Sequence, residues 1–233
     1  NNKIDEMVES GEFATLVANY LVICGGNVKA YGATGDGETD DTDAINTAIT
    51  SLKTAGINKL VFPKGTYVVS NTIEVPSDFE IVGMEGATLA FVGEGSGMNG
   101  DEVMLKIAGT TAEDYVENVK ISGLKFDGTG QVYKGGYSMD TPAVTHTDPC
   151  GVGIKAIRVR FAKNVIIENC DFNDIYGDGI LITYCNNVTV ENNRFDSVGA
   201  GNIQLGGQTG YDNHGDCVGE FASFDVRIVG NTI

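Results

Sequence analysis

Two acidic stretches of the sequence have the makings of a proton-transfer site. Asp174 and Asp178 lie four residues apart in DFNDIYGDGI, and Asp216 follows His214 in DNHGD. Two carboxylates separated by about 5–10 Å across a sugar can cleave a glycosidic bond, one protonating the leaving oxygen while the other attacks or activates water. His214 and His146 are the only two histidines, and His214 could supply a base or help hold a cation. Each of these groups has a plainer reading. Asp in a Gly-rich corner caps turns by accepting backbone N–H bonds, and a loop His is solvated. Asp178 is the strongest catalytic candidate because it sits at the corner leading into the apolar strand GILIT.

In AIRVRF, Arg158 and Arg160 alternate with apolar residues, which puts both guanidinium groups on one face of a strand. They could grip an acidic sugar or pair with a neighbouring carboxylate. What else shares that face depends on the elements around it. The sequence answers through a repeat: NVKISGLKF (118–126), NVIIENCDF (164–172), NVTVENNRF (187–195) and DVRIVGNTI (225–233) align without a gap, with DFEIVGMEG (78–86) as an early copy.

The sixth position of the repeat is Gly83, Gly123, Asn169, Asn192 or Gly230. Only residues that tolerate a left-handed backbone occur there, so each copy should bend at that point. Ile81, Ile121, Ile167, Val190 and Ile228 before the bend should face inward. So should Met84, Leu124, Cys170, Asn193 and Asn231 after it, with Asn193 stacked over Asn231 as an amide ladder. Phe126, Phe172 and Phe195 should form an aromatic stack.

A second rung keeps the same 23-residue spacing: Ile157, Ile180 and Ile203, then Val159, Ile182 and Leu205. Strand periodicity with Gly/Asn corners at this period predicts an all-β solenoid, a parallel β-helix with coils roughly 4.8 Å apart. With Ile180, Ile182 and Tyr184 inward, Thr183 points out with Leu181, joined by Arg158, Arg160, Asn202 and Gln204 from the stacked coils. Long insertions at 92–102, 128–152 and 206–222 flank this face. Loops gathered on one side of a rigid solenoid are where binding is expected.

The most acidic stretch, YGATGDGETDDTDAINTAI (31–49), invites a calcium-loop reading that its spacing rejects. With Asp36 as first ligand, Asp41 falls where the loop needs Gly and Thr47 where it needs Glu. Ala44, Ile45, Ala48, Ile49 and Leu52 instead form the apolar stripe of a helix over 41–55, ended by Gly56. Thr39, Asp40 or Asp41 caps its positive end.

With 32 acidic against 15 basic residues the formal charge is −17, which argues against nucleic acid and anionic membranes as partners. No apolar run is long enough to span a bilayer, and residues 1–20 do not read as a signal peptide. The five cysteines are odd in number and lack CxxC spacing, so buried free thiols are expected rather than disulfides or zinc. No metal ligand set and no cofactor are assigned, although acidic loops leave calcium open. Phe13, Leu16, Val17, Tyr20 and Leu21 give residues 4–23 a helical period, broken by Gly11. Residues 1–26 therefore read as a helical lead-in for anchoring or oligomerisation, and 27–233 as the β-helix, with both ends read as cut.

VKAYGATGDGETDDTDAINTAI followed by LVFPKGTYVVS resembles the N-terminal segment of the pectate-lyase-like β-helix superfamily, where (F/Y)GAxGDGxTDDTxAI precedes the coils. The resemblance covers residues 28–75, and the coil repeats extend it. It implies a right-handed parallel β-helix whose open N-terminal end is covered by a capping helix. Members include phage tailspikes, polygalacturonase-like hydrolases and polysaccharide epimerases.

The lead-in IDEMVESGEFATLVANYL is similar to helical segments preceding β-helices in phage tail proteins. The implied protein is a homotrimeric tailspike or tail appendage of the virion, among other tail or virion proteins. Such appendages bind, and often cleave by hydrolysis or elimination, a host surface polysaccharide. YGDGI departs from the NTDGI of the polygalacturonase branch, and no GDD, GHG or RIK follows, so no catalytic residue is carried over. Two alternatives stand beside this reading: a non-catalytic structural or adhesin solenoid of a tail or cell surface, and a free secreted hydrolase or lyase.

Overall fold

The structure is a computed structural model that describes residues 3–10, 12, 26–94, 103–111, 113–132, 154–199, 201–206, 210–211, 217–218 and 224–233. Three parallel sheets dominate it. The first contains β1 (Gly26–Asn27), β3 (Lys59–Phe62), β6 (Phe79–Gly83), β9 (Val116–Ser122), β12 (Ala162–Glu168), β15 (Asn186–Glu191) and β20 (Phe224–Val229), neighbours in that order. The second runs from β2 (Asp36–Asp40) through β4 (Gly65–Val69), β7 (Ala87–Glu94), β10 (Lys125–Val132) and β13 (Asp171–Asn173) to β16 (Arg194–Asp196). The third runs from β5 (Ile73–Glu74) through β8 (Val103–Ala108), β11 (Lys155–Arg160) and β14 (Ile180–Thr183) to β17 (Ile203–Gly206).

From β3 to β17 the chain visits the three sheets in rotation, so each strand pairs with one a full circuit away. A short antiparallel hairpin of β18 (Gly210–Tyr211) and β19 (Cys217–Val218) precedes β20. Among the described residues the α-helices are α1 (Lys3–Glu9) and α2 (Thr42–Thr54), with a 3-10 turn at Val28–Tyr31. The remainder of the expected lead-in helix, with Phe13 to Leu21, lies outside the described residues.

Register follows the sequence repeat. Ile157 pairs with Ile180 and Ile180 with Ile203, while Phe126 pairs with Phe172 and Phe172 with Phe195. The three phenylalanines stack as expected, with centroids 4.9 and 4.6 Å apart and planes within 7°. Ile81, Ile121, Ile167, Val190, Leu124 and Cys170 are buried. Asn193 is buried too, and its Nδ2 donates to Asn231 Oδ1 at 3.0 Å and to the Ile167 carbonyl at 3.0 Å. A buried amide tolerates desolvation only when so satisfied. Cys170 and Cys185 are buried free thiols, and burial pushes the Cys170 thiol up to about 12.

Several expectations are corrected. Gly123, Asn169, Asn192 and Gly230 adopt the left-handed backbone, but Gly83 does not. Gly83 is required instead by close approach, because a Cβ there would lie 2.5 Å from the Gly123 carbonyl oxygen. The chain turns later, at Gly86 (φ 82°), so Met84 swings outward and is exposed rather than inward-facing. Ile228 is also exposed, on β20, which has a described neighbour only on the β15 side.

A second left-handed position falls at the start of every repeat: Asp78, Asn118, Asn164, Asn187 and Asp225, with φ from 53° to 59°. Four of them form a surface ladder. Asn118 donates to Asp78 Oδ1 at 2.7 Å, Asn164 to Asn118 at 2.9 Å and Asn187 to Asn164 at 2.9 Å.

The acidic stretch before α2 is scaffolding. Asp41 accepts from the Thr34 and Gly35 backbone N–H groups at 2.7 and 3.0 Å, pinning the Gly-rich turn. Asp41 occupies the N-cap position of α2 without a side-chain cap bond, and the side chain of Asp40 accepts from Thr42 N–H at 3.0 Å, its other oxygen accepting from the Ser70 hydroxyl. Asp36 accepts from Glu38 and Thr39 N–H, and these bonds hold its carboxyl well below the usual range. Ile45, Ala48, Ile49 and Leu52 of α2 are buried.

Candidate functional site

Alternation along β11, β14 and β17 turns Ile157, Val159, Ile180 and Ile182 into the core, where all four are buried. The opposite parity forms the outer face of the third sheet. Cross-strand pairing aligns Arg158 with Leu181 and Leu181 with Gln204 in one column, and Arg160 with Thr183 in the next. β8 continues these columns with Lys106 and Ala108. Lys106 carries an ion pair to Glu74 Oε1 at 3.0 Å, on β5. Asn202 enters β17, its carbonyl accepting from Ile180 N–H at 3.0 Å. The five residues expected to bind thus lie on or beside one rigid surface.

Asp178 lies at the edge of that surface, fully buried where the chain enters β14. The Gln204 amide faces both of its oxygens and, turned to donate, reaches them from its nitrogen at 2.7 and 3.0 Å. Its backbone carbonyl accepts from Ala156 N–H at 3.1 Å, which ties it to β11. Burial pushes the Asp178 carboxyl above its ordinary value, and the charge of buried Lys155 offsets part of that rise.

Asp174 lies four residues before Asp178 on the same β13–β14 connection. It is exposed at the left-handed corner after β13 (φ 53°), where its carboxylate accepts from Thr129 Oγ1 at 3.4 Å. Thr129 also donates to Asp127 at 2.6 Å. Burial alone would raise the Asp127 carboxyl, but the Thr129 bonds and Lys125 bring it below its ordinary value. Asp216, His214 and His146 lie outside the described residues, as do most of the three insertions.

The corner between the third and first sheets contradicts one expectation. Tyr184 does not point inward; it sits half-buried at that corner with φ 57°, stacked on Phe161 (φ 43°) at 4.9 Å and 11°. The left-handed turn needed to pass from β14 to β15 reverses the alternation, so the ring leaves the core. Tyr115 meets Phe161 edge-on at 6.4 Å. The Arg160 guanidinium carbon lies 5.0 Å from the Phe161 centroid and 5.7 Å from that of Tyr184. Lys163 Nζ lies 4.1 Å over Tyr115 and 3.5 Å from Glu117 Oε1. Arg160 therefore stacks on rings where a carboxylate partner was the alternative.

Among the described residues, Arg160 Nε and Thr183 Oγ1 are buried without a hydrogen-bond partner. Sequence reasoning passed over the aromatic cluster, though Phe161 and Tyr184 carry the repeat spacing at a corner and offered the signal.

Parallel sheets visited in rotation around an apolar core define the class, a β-helix protein, and comparison with known proteins agrees. Residues 26–217 match the rhamnogalacturonase A/epimerase, pectate lyase-like family, and the chain belongs to it. Among curated proteins, the chain is 31% identical over 188 residues to the preneck appendage protein of Bacillus phage PZA, covering 77% of this chain and 19% of that protein. It is 35% identical over 133 residues to the pre-neck appendage protein of Bacillus phage B103, covering 55% of this chain and 14% of the relative. The chain thus spans less than a quarter of either phage relative.

Among solved structures, the surface adhesin PfbA of Streptococcus pneumoniae superposes with a TM-score of 0.64 at 24% identity, covering 88% of this chain and 48% of PfbA. A putative glycosyl hydrolase from Parabacteroides merdae gives a TM-score of 0.61 at 18% identity, covering 88% and 94%. At these identities the structural likeness speaks for the fold.

Proposed function

We propose that this chain is the β-helical part of a phage tail appendage, homotrimeric and carried on the virion, that binds a bacterial surface polysaccharide along the outer face of its third sheet. The observation that carries this reading is the alignment of Arg158 with Gln204 and of Arg160 with Thr183 on one stiff surface, two of whose buried polar atoms lack protein partners among the described residues. Similarity to phage appendage proteins supports the virion assignment. In this reading residues 27–233 wind as a right-handed helix of about 23 residues per coil, as the Ile157–Ile180–Ile203 register suggests, α2 caps its N-terminal end, and residues 1–26 anchor or trimerise it.

Asp178 decides between binding and cleavage. Burial pushes the Asp178 carboxyl above its ordinary value, the direction a general acid needs. Its complete burial under Gln204, with Asp174 exposed at the start of the same β13–β14 connection, favours a binding face without hydrolysis. Incubating the protein with capsule or lipopolysaccharide from candidate hosts and sizing the products tests both. Retention of glycan without shortening is the binding outcome. Shortening that Asp178→Asn abolishes makes the face a hydrolase site, and no retention of any glycan overturns the proposal.

A further inference from the structure

Every left-handed, non-glycine position in the described structure is Asn, Asp or Ser, with two exceptions, Phe161 and Tyr184. A bulky aromatic residue in this region is an outlier, and strain of that kind persists where the surroundings impose it. A solenoid corner asks only for a turn, which Asn provides one circuit after another elsewhere in this chain. Here the turn is made by two parallel rings, with Tyr115 edge-on to Phe161 and Arg160 over both. The rings are half-buried, so each keeps part of its surface in solvent. Arg160 brings a full positive charge to this spot on a chain of net charge −17, and its Nε lacks a partner among the described residues. An apolar platform beside this guanidinium matches one ligand chemistry: the C–H face of a sugar ring bearing an acid group that accepts from the guanidinium.

From this we infer that the Tyr115–Phe161–Tyr184 corner, with Arg160, is a separate subsite that binds one anionic saccharide unit of the glycan crossing the third sheet. The inference rests on the glycan-binding reading and adds a place and a charge preference to it. The ring packs on the aromatic edge, its acid group faces Arg160, and Lys163 adds positive potential from beyond Tyr115.

The test uses the strain itself. Tyr184→Asn and Phe161→Asn install a side chain suited to the left-handed backbone, so both variants should melt at or above the parent temperature. Their retention on an immobilised polyuronate should nevertheless fall by about tenfold, as expected for losing roughly 1.4 kcal/mol of contact. Arg160→Lys, which keeps the charge and loses the planar fork, should weaken binding to the polyuronate. Parallel measurements on dextran sulfate separate a sulfate from a carboxylate preference. Unchanged polyuronate and dextran sulfate binding by all three variants overturns the subsite while leaving the glycan-binding reading intact. Loss of stability in both Asn variants overturns it too, because the rings would then be packing elements. Absence of binding to any glycan by the parent protein removes the larger reading and the subsite with it.

Discussion

Asp41 spends both carboxylate oxygens on the turn before α2, accepting from Thr34 N–H, Thr34 Oγ1 and Gly35 N–H. Asp41→Ala should cost about 1–2 kcal/mol, since the variant removes the acceptor of these partly buried bonds, and urea denaturation would measure it. Asp178 makes the opposite prediction. Its folded-state pKa is raised, so between the ordinary carboxylate value and that raised value the native state holds a proton that the unfolded chain has released. Stability therefore falls as pH rises through that window. Asp178→Asn should melt above the parent at pH 7 and converge with it as pH drops below the ordinary carboxylate range, which thermal melts across pH would follow. That Asp178 enters a strand was legible in GDGILIT. Its burial under Gln204 was not, because that contact joins consecutive coils at their edge. Tyr184 was misread because alternation was carried through a residue where the backbone turns left-handed.

The corners and stacks that join strands carry predictions of their own. Gly83 and Gly123 lie so close that a Cβ on either would come within 2.5 Å of the other's carbonyl oxygen. Only Gly123 has positive φ. Gly123→Ala should lose about 1–2 kcal/mol to the left-handed backbone alone, with the clash added. Gly83→Ala should also destabilise, isolating the clash, and comparing the two by denaturant unfolding separates the causes. In the aromatic stack, Phe172 has a ring on each side whereas Phe195 has one described neighbour. Phe172→Ala should cost about 3–5 kcal/mol, more than Phe195→Ala. The stack, the Asn193 ladder and the sixth-position bend were readable because each repeats a residue type at a fixed interval. The first-position bend at Asn118, Asn164 and Asn187 was equally regular, but an Asn opening a strand reads as a turn residue and its handedness does not show.

At the scale of the molecule, −17 is a large charge for 233 residues, and its self-repulsion opposes the compact state. Raising ionic strength from about 0.01 to 0.15 M shortens the screening length from roughly 30 to 8 Å. The melting temperature should therefore rise over that range, which calorimetry at several salt concentrations would record. The surface ladder from Asp78 to Asn187 bears on the history of such a chain. Asn118 and Asn164 each donate to the residue before and accept from the one after, so these circuits present the same chemistry at their leading and trailing edges. Circuits are therefore interchangeable units, and a lineage can lengthen or shorten the solenoid by whole turns without rewriting the neighbours. A chain lacking residues 164–186 would still bring Asn187 onto Asn118 with the same hydrogen bond, so length is the property this architecture leaves freest to vary.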